Sequence, residues 1–204
     1  MAASTLDIER QIKYWQRNLK TVLPTEYTTT DSSRGMLGFL ILAALDLLGV
    51  GVETLPAPDI KNFKAWILNC QHPNGGFCGS PNHKYPKTYY IEDPCNEIDP
   101  ANLAATFFAI LVLSFVGRLA DMDRGRCLKW LKKLQREDGS FGEMLGENDV
   151  IEGGKDVRYA FFAAGVRWML RGDVRQVNGE EIEDIDIDEL VRYIRSTEVR
   201  KHLT

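Results

Sequence analysis

The chain has 204 residues, of which 44% are hydrophobic and 26% charged, and its formal net charge is −4. This composition is ordinary for a globular protein, and the length suffices for one core or for several repeats that share one. Without a stripe of Lys and Arg, the negative charge argues against nucleic acid as the main partner. The longest apolar run, residues 36–50, contains Asp46 and is too short for a transmembrane segment.

The N-terminal sequence MAASTLDIERQ lacks the basic and then apolar order of a secretory signal, so we expect a cytoplasmic protein. In that compartment the cysteines should be free thiols, some of them packed in the core. None of the three histidines lies at a metal-ligand spacing, so the residues alone predict no metal site. These residues are Cys70, Cys78, Cys95 and Cys127, and His72, His83 and His202.

Apolar residues recur at steps of three and four over residues 6–23, which predicts an amphipathic helix that Pro24 stops. A second helix should be capped by one of residues 31–33 and run to about Leu48. Because it is apolar nearly all round, we expect it to be enclosed on most sides. Asp59 is the predicted cap of a third helix, which carries Ile67.

Residues 78–96 show no clear periodicity, which indicates an ordered loop. Asp99 and Pro100 then predict an N-cap and a first helical position for a helix that runs to about Val116. A further helix begins at Asp123. Two more follow, over residues 156–170, where the sequence is apolar on several faces and should be deeply placed, and over residues 188–196. No segment alternates with a period of two, so strands are not expected.

One motif occurs twice, as WILNCQHPNGGF in residues 66–77 and WLKKLQREDGSF in residues 130–141. Corresponding positions lie 64 residues apart: Trp66 and Trp130, Gln71 and Gln135, Gly75 and Gly139, Phe77 and Phe141. Each copy ends a helix with a left-handed glycine, and Pro73 prevents the first helix from continuing. We expect the Gln amide to bond exposed backbone of its own turn and the Phe to fold beneath the helix end. A repeat of helix pairs predicts a solenoid or a closed double-layered ring.

Over residues 9 to about 196 the chain resembles the β subunit of the protein prenyltransferases, and most closely the type I geranylgeranyltransferase. Residues 14–49 carry the resemblance, together with three later stretches. These are NGGFCGSP followed by NLAATFFAILVL, LKKLQREDGSFG, and KDVRYAFFAAGVRWML, which is similar to the family's Asp-Val-Arg segment. The long insertion at residues 78–100 favours the type I subunit, since farnesyl- and Rab-specific relatives have a short link there.

The resemblance implies an all-α fold, an α/α toroid of helix pairs in two layers around an apolar funnel. Residues 1–204 would form the N-terminal half of this domain, incomplete at the C-terminus, with a loop insertion at 78–100. A third copy of the repeated turn would be due near Thr197. A half ring should expose an apolar edge, so we expect poor solubility or association with another chain.

The activity implied is transfer of a geranylgeranyl group from geranylgeranyl diphosphate to a cysteine near the C-terminus of CaaX proteins such as small GTPases. The family works as a heterodimer with a prenyltransferase α subunit and uses zinc to activate the thiol. The zinc ligands of the family, an Asp and a Cys two apart and a later His, have no D-x-C counterpart here. We therefore expect the chain alone to be inactive. The alternatives are a protein farnesyltransferase β subunit and a non-catalytic fragment that binds lipid or the α subunit.

Two residues are predicted to bind substrate, whereas none is predicted to be catalytic or to hold metal. Arg158 matches the arginine of the Asp-Val-Arg segment, which lies in the family's cavity, although pairing with Asp156 or Glu147 at a helix start would also explain it. Phe161 stands where the family has an aromatic residue that lines the same cavity, and taken alone it would be assigned to the core. Met36 and Leu40 should lie near the lipid end, Met36 being larger than the family pattern leads us to expect.

Overall fold

Helices alternate between two layers along the chain. A computed structural model describes residues 6–21, 25–82, 99–117 and 119–198, and seven α-helices lie within these ranges. The described parts of the connections contain turns, 3-10 segments of three to nine residues and two small hairpins. The helices are α1 (Ile8–Lys20), α2 (Arg34–Leu47), α3 (Ala57–Leu68), α4 (Leu103–Val116), α5 (Arg124–Lys133), α6 (Val157–Met169) and α7 (Ile187–Ser196).

The even-numbered helices form an inner layer in which α2 packs on α4 and α4 packs on α6. The odd-numbered helices cover one side of it, with α1 on α2, α3 on α4, and both α5 and α7 on α6. The core lies between the layers, because the outer helices turn apolar residues toward the inner layer and α4 is apolar nearly all round. Fully buried side chains include Leu103, Ile110, Leu113, Leu131 and Val166.

Five helices begin after a residue whose side chain accepts a hydrogen bond from the first turn, which satisfies one of the free N–H groups there. The caps are Asp7, Asn102, Asp123, Asp156 and Asp186. Two predicted starts are wrong. Helix α3 begins at Ala57, after Pro56, and Asp59 lies within its first turn. Helix α4 begins after Asn102 and not after Asp99, because the Asn102 side chain accepts from the amide of Ala105 at 3.1 Å.

The prediction that strands are not needed is wrong for two hairpins. Strands β1 (Met144–Leu145) and β2 (Ile151–Glu152) pair antiparallel, as do β3 (Gln176–Val177) and β4 (Glu180–Glu181). Two residues are too few to show alternation with period two. The sequence nevertheless contains a turn signal, the dipeptide Asn178-Gly179. Both residues adopt positive φ, as tight hairpins require.

The repeated motif forms two turns of the same backbone shape, the first Gln-Gly turn (residues 71–77) and the second Gln-Gly turn (residues 135–141). In each, the Gln and the Phe are paired as an isolated antiparallel bridge. Phe77 and Phe141 are completely buried, so the prediction that they fold beneath the helix ends is confirmed. Gly75 and Gly139 have φ of 104° and 80°, the predicted left-handed conformation.

The Gln side chains bond a different part of the chain from the one predicted. The Gln71 amide donates to the carbonyl of Asp123 at 3.2 Å and accepts from its N–H at 3.1 Å. Gln135 makes the same two bonds with Asp186, at 2.7 and 2.6 Å. Each turn therefore holds the N-cap of the next outer helix. Local sequence could not show this, because the bonded residues are about fifty positions apart.

Parts of the sequence-based predictions lie outside the described residues. These are most of the insertion (residues 83–98), Pro24, Cys95, His83 and His202. In the part of the chain that the structure describes, no helix combines the length and the apolar character needed to cross a membrane.

Candidate functional site

Six phenylalanine rings form a continuous band across the inner layer, on the side away from the outer helices. Phe39 of α2 contacts two rings of α4, and α4 contacts both rings contributed by α6, with centroids 5.2–6.2 Å apart throughout. Tilted and edge-on pairs at these separations are favourable aromatic contacts. We call this set the aromatic band, and it consists of Phe39, Phe107, Phe108, Phe115, Phe161 and Phe162.

Helix α6 is exposed on the face that carries Phe161, so the prediction that this helix is deeply placed is wrong for that face. Val157, Phe161, Ala164 and Trp168 recur at helical spacing and all are exposed, Phe161 to 63% and Trp168 to 76%. The opposite face buries Ala160, Ala163 and Val166, so α4 and the outer helices α5 and α7 cover α6 on its other sides. The apolar sequence on several faces thus reflects an open apolar surface as well as the core.

Helix α2 has a similar open face. Met36 is half-buried, Leu40 is 47% exposed and Leu47 is 87% exposed, at positions that share one side of the helix. The prediction that α2 is enclosed on most sides therefore fails on this side. Leu40 and Met36 flank Phe39, which places them beside the end of the aromatic band.

A polar rim lies at the N-terminal ends of the inner helices. Glu143, which follows the second Gln-Gly turn, accepts a hydrogen bond from the side-chain amide of Asn102 at 2.6 Å. Its other carboxylate oxygen accepts from the hydroxyl of Tyr159 at 2.7 Å. Burial, together with this bond to Glu143, raises the pKa of Tyr159 to about 12. The hydroxyl is therefore a proton-bearing donor at neutral pH.

A cavity of about 190 Å³ joins the polar rim to the aromatic band. Asn102 and Glu143 contribute polar atoms to its wall, whereas Met36 and Phe108 contribute apolar ones. A molecule placed here would meet hydrogen-bonding groups at one end and aromatic carbon at the other. Concave sites with this division of chemistry are typical of small-molecule binding.

Arg158 lies at the edge of the rim, one helical turn before Phe161 and Phe162. Its guanidinium donates to both carboxylate oxygens of Asp156 at 2.7–3.0 Å, which is one of the two pairings weighed from the sequence. The bond holds the pKa of Asp156 below its ordinary value and that of Arg158 above it. The Arg158 side chain is nevertheless 78% exposed. An exposed ion pair is weak, so the guanidinium can turn toward an anionic ligand at little cost.

The described residues do not fit the zinc site that the resemblance implies. They contain no group of three or more His, Cys, Asp and Glu side chains arranged to hold a metal ion. The thiols of Cys70 and Cys78 donate to the carbonyls of Trp66 and Ser80, each at 3.4 Å. His72 accepts a hydrogen bond at Nδ1 from the amide of Asn74 at 3.1 Å.

Sequence reasoning missed Asn102, Glu143 and Tyr159 as site residues. Asn102 directly precedes an apolar helical run, and this cap signal could have identified it. Tyr159 adjoins the Asp-Val-Arg segment, so its position was also available. Glu143 carried no local signal, because its partners lie 41 and 16 residues away in sequence.

Comparison with known proteins places this architecture among the prenyltransferases. The model of the prenyltransferase alpha-alpha toroid domain matches residues 6–200. The protein farnesyltransferase β subunit of Pyricularia oryzae is 28% identical over 162 residues, covering 78% of this chain and 26% of that subunit. The geranylgeranyl transferase type-1 β subunit of Arabidopsis thaliana is 26% identical over 176 residues, covering 82% of this chain and 44% of that subunit.

Among solved structures, the Candida albicans protein geranylgeranyltransferase-I complexed with GGPP aligns with a TM-score of 0.72. The alignment has 21% sequence identity and covers 93% of this chain and 51% of that one. At this identity the likeness supports the fold alone. The chain thus spans less than half the length of either curated relative and about half of the solved chain.

The predicted all-α toroid fold is confirmed by the family match and by the structural alignment. Relatives of both prenyl specificities are similar to the chain. The chain therefore belongs to the prenyltransferase alpha-alpha toroid family.

Proposed function

We propose that this chain is part of a type I protein geranylgeranyltransferase β subunit and that its aromatic band binds the geranylgeranyl group of geranylgeranyl diphosphate. The acceptor would be a cysteine near the C-terminus of a CaaX protein such as a small GTPase, and the protein would act in the cytoplasm. The observation that carries this proposal is the continuity of the aromatic band across α2, α4 and α6. An isoprenoid is a long apolar chain, and an extended aromatic surface with a polar end matches its shape and chemistry.

The polar rim would meet the other end of the ligand. Arg158 is the cation nearest to the aromatic band on α6, and its partner Asp156 competes for it only weakly because both groups face solvent. A guanidinium can bind a phosphate or carboxylate with two parallel hydrogen bonds. We assign Arg158 and Phe161 to substrate binding on these grounds. The zinc ion and the α subunit would complete catalysis through residues other than those described here.

Binding of prenyl diphosphates to the full chain tests the proposal. We expect geranylgeranyl diphosphate to bind at least about tenfold more tightly than farnesyl diphosphate. Burial of its five further carbons can contribute up to about 4 kcal/mol, and a tenfold difference needs only about 1.4 kcal/mol. Inorganic diphosphate should bind far more weakly than either. Calorimetric titration gives the three constants. If inorganic diphosphate bound as tightly as geranylgeranyl diphosphate, this result would contradict binding of the lipid by the aromatic band.

Phe161→Ala provides the matching variant, because the side chain is exposed and its removal should not unfold the helix. We expect Phe161→Ala to weaken binding of geranylgeranyl diphosphate about tenfold. Val191→Ala, an exposed apolar residue of the outer helix α7, is the control and should change nothing. Unchanged affinity in Phe161→Ala would remove the aromatic band from the binding site.

A farnesyl-specific subunit is the second candidate, favoured by the similarity to the farnesyltransferase of P. oryzae. Met36 on the cavity wall supports it, because a bulky side chain there shortens the space for a lipid. If Met36 limits ligand length, Met36→Ala should raise the affinity for geranylgeranyl diphosphate relative to farnesyl diphosphate. Tighter binding of farnesyl diphosphate by the unaltered chain would select this candidate over the first.

A non-catalytic fragment that binds lipid or the α subunit is the third candidate, and the lack of a fitting metal-ligand group among the described residues favours it. When zinc and an α subunit are added to residues 1–204, we expect no transfer of geranylgeranyl to a CaaX peptide ending in leucine. Measurable turnover would show that a complete catalytic site lies within these 204 residues.

A further inference from the structure

Three thiols surround the first Gln-Gly turn, whereas no described thiol lies at the second. Cys70, Cys78 and Cys127 are exposed to 1%, 3% and 0%. The second turn has Leu134 and Gly142 at the positions of Cys70 and Cys78. The turn itself does not require the thiols, since the same backbone hydrogen bond joins each pair, at 2.9 Å from Cys78 to Cys70 and 3.0 Å from Gly142 to Leu134.

Cys70 and Cys78 face each other across the base of the turn. The antiparallel bridge between Gln71 and Phe77 puts the two cysteines directly opposite in the next register position. One backbone bond joins them, from the Cys78 N–H to the Cys70 carbonyl, while the Cys70 N–H donates to Ile67; opposite residues of antiparallel strands have Cα atoms about 4.5–5.5 Å apart. Disulfides span Cα separations of about 4.4–6.8 Å, so this register suits one without movement of the backbone.

The two thiols also interact directly. A hydrogen bond with the Cys78 thiol is the first cause, and burial the second, of a raised pKa for Cys70. Each thiol also donates to a backbone carbonyl, of Trp66 or of Ser80, which a change of side-chain rotamer can release. The two thiols are thus adjacent to each other.

We propose that Cys70 and Cys78 are a redox-sensitive dithiol that closes to a disulfide across the base of the first Gln-Gly turn, with a small disulfide such as oxidised glutathione as the oxidant. One cysteine thiolate attacks a sulfur of the oxidant, forming a mixed disulfide and expelling one glutathione thiolate. The second cysteine, as thiolate, attacks the protein sulfur of the mixed disulfide and expels the second glutathione. Two protein thiols are oxidised and one glutathione disulfide is reduced to two thiols, which take up the two protons.

The position of the turn gives this bond a structural consequence. The Phe77 amide donates to the Thr106 hydroxyl at 2.9 Å, and the Asn102 amide donates to the Phe77 carbonyl at 3.0 Å. Gln71 holds Asp123, the cap of α5. Closure would therefore stabilise the junction of α3, α4 and α5, including Asn102 of the polar rim. Reduction would return the turn to the hydrogen bonds it shares with the second copy.

The test uses the full chain equilibrated over a series of reduced-to-oxidised glutathione ratios. Both cysteines lie on the tryptic peptide between Lys64 and Lys84, and cleavage after Phe77 separates them. Under oxidising ratios we expect the two fragments to stay joined, both cysteines to resist alkylation, and the midpoint of thermal unfolding to rise by several degrees. Reduction should reverse all three changes.

Single replacements identify the pair. Cys70→Ala and Cys78→Ala should each abolish the joined peptide, whereas Cys127→Ala and Cys95→Ala should keep it. Cys127 is the demanding control, because it is fully buried beside Gly76 and burial raises its pKa to about 12. Alkylation of all four thiols at every ratio, or linkage to Cys95 or Cys127, would overturn the proposal. The peptide map of the unaltered chain decides the matter even if a variant fails to fold.

Discussion

The two Gln-Gly turns have the same backbone and different supporting side chains. In both, the second residue of the turn makes the same two backbone hydrogen bonds: His72 donates to Gly76 and accepts from Gly75, and Arg136 donates to Ser140 and accepts from Gly139. The glycine with positive φ and the buried Phe also recur. So do the two hydrogen bonds between the Gln side chain and the N-cap residue of the next outer helix, which we call the Gln clasp. These shared features are the ones that the geometry of the junction demands.

The two turns differ in the side chains that pack within and around them. The first turn has a half-buried histidine, a second glycine and a buried thiol pair. The second replaces the second glycine with Ser140, whose N–H and hydroxyl both bond Asp138, at 3.1 and 2.6 Å. Asp138 also pairs with Lys155. The first turn therefore contains only side chains that are uncharged at neutral pH, whereas the second contains an ionised carboxylate, and the two should respond differently to pH and to oxidants.

The largest expected effect is that of adding a methyl group to the glycine that recurs in both turns, Gly75 and Gly139. A Cβ on Gly139 would overlap the Glu189 carbonyl, and one on Gly75 would overlap the Arg126 carbonyl. Because the left-handed φ adds its own strain, we expect Gly139→Ala and Gly75→Ala each to lower the free energy of unfolding by at least about 3 kcal/mol. Urea unfolding measures the change.

Gly179 offers a matched control for the backbone strain alone. Its φ is 83° and nothing lies within 4 Å of its added Cβ. Gly179→Ala should cost about 1–2 kcal/mol, the strain of the left-handed region. Equal losses in Gly139→Ala and Gly179→Ala would show that close approach to the next helix is unimportant.

Removal of the Gln clasp is the next largest change. Gln135→Ala and Gln71→Ala should each cost about 1–3 kcal/mol, since two hydrogen bonds are lost. The loss should be larger for Gln135, whose bonds are shorter. Hydrogen exchange should quicken in the first turn of α7 for Gln135→Ala and of α5 for Gln71→Ala. Replacement by Glu, which keeps one acceptor but no donor, should have an intermediate effect; unchanged exchange in both Ala variants would refute the clasp.

A smaller effect is the pH dependence of stability that His72 gives to the first turn. Burial lowers the pKa of His72 below its ordinary value of 6.5. The unfolded chain therefore binds the proton more readily, and stability should fall as the pH drops through 6.5 toward the folded-state pKa. His72→Asn should lose less stability than the unaltered chain between pH 7.5 and 5. Parallel losses in the two proteins would mean that protonation of His72 is not coupled to folding.

The smallest effect concerns the second turn. Hydrogen bonds from Lys155 and Ser140 hold the pKa of Asp138 well below its ordinary value of 3.8. Its stabilisation should be present above pH 3.8 and lost as the pH falls below it. Because Asp138 is exposed, Asp138→Asn should cost less than about 1 kcal/mol at pH 7. The difference should shrink steadily as the pH falls below 3.8; a constant difference across this range would contradict the assignment.

Local sequence predicted much of the helical framework. Helical periodicity and the caps Asp123 and Asp156 identified α5 and α6 to within a residue or two, because these signals act over one turn of helix. The doubled motif also predicted glycine and Phe conformations correctly in both turns. Family resemblance supplied the toroid, which periodicity alone left open between a solenoid and a ring.

Tertiary structure decided the remainder, because the groups involved meet from distant parts of the chain. Gln135 bonds a residue 51 positions away, and Glu143 joins Asn102 to Tyr159 across three elements. The apolar residues of α6 divide between the core and the open face according to which neighbours cover them, and composition does not encode that division. The sequence by itself thus determined where most of the helices begin and end, whereas packing determined which of their faces could form a site.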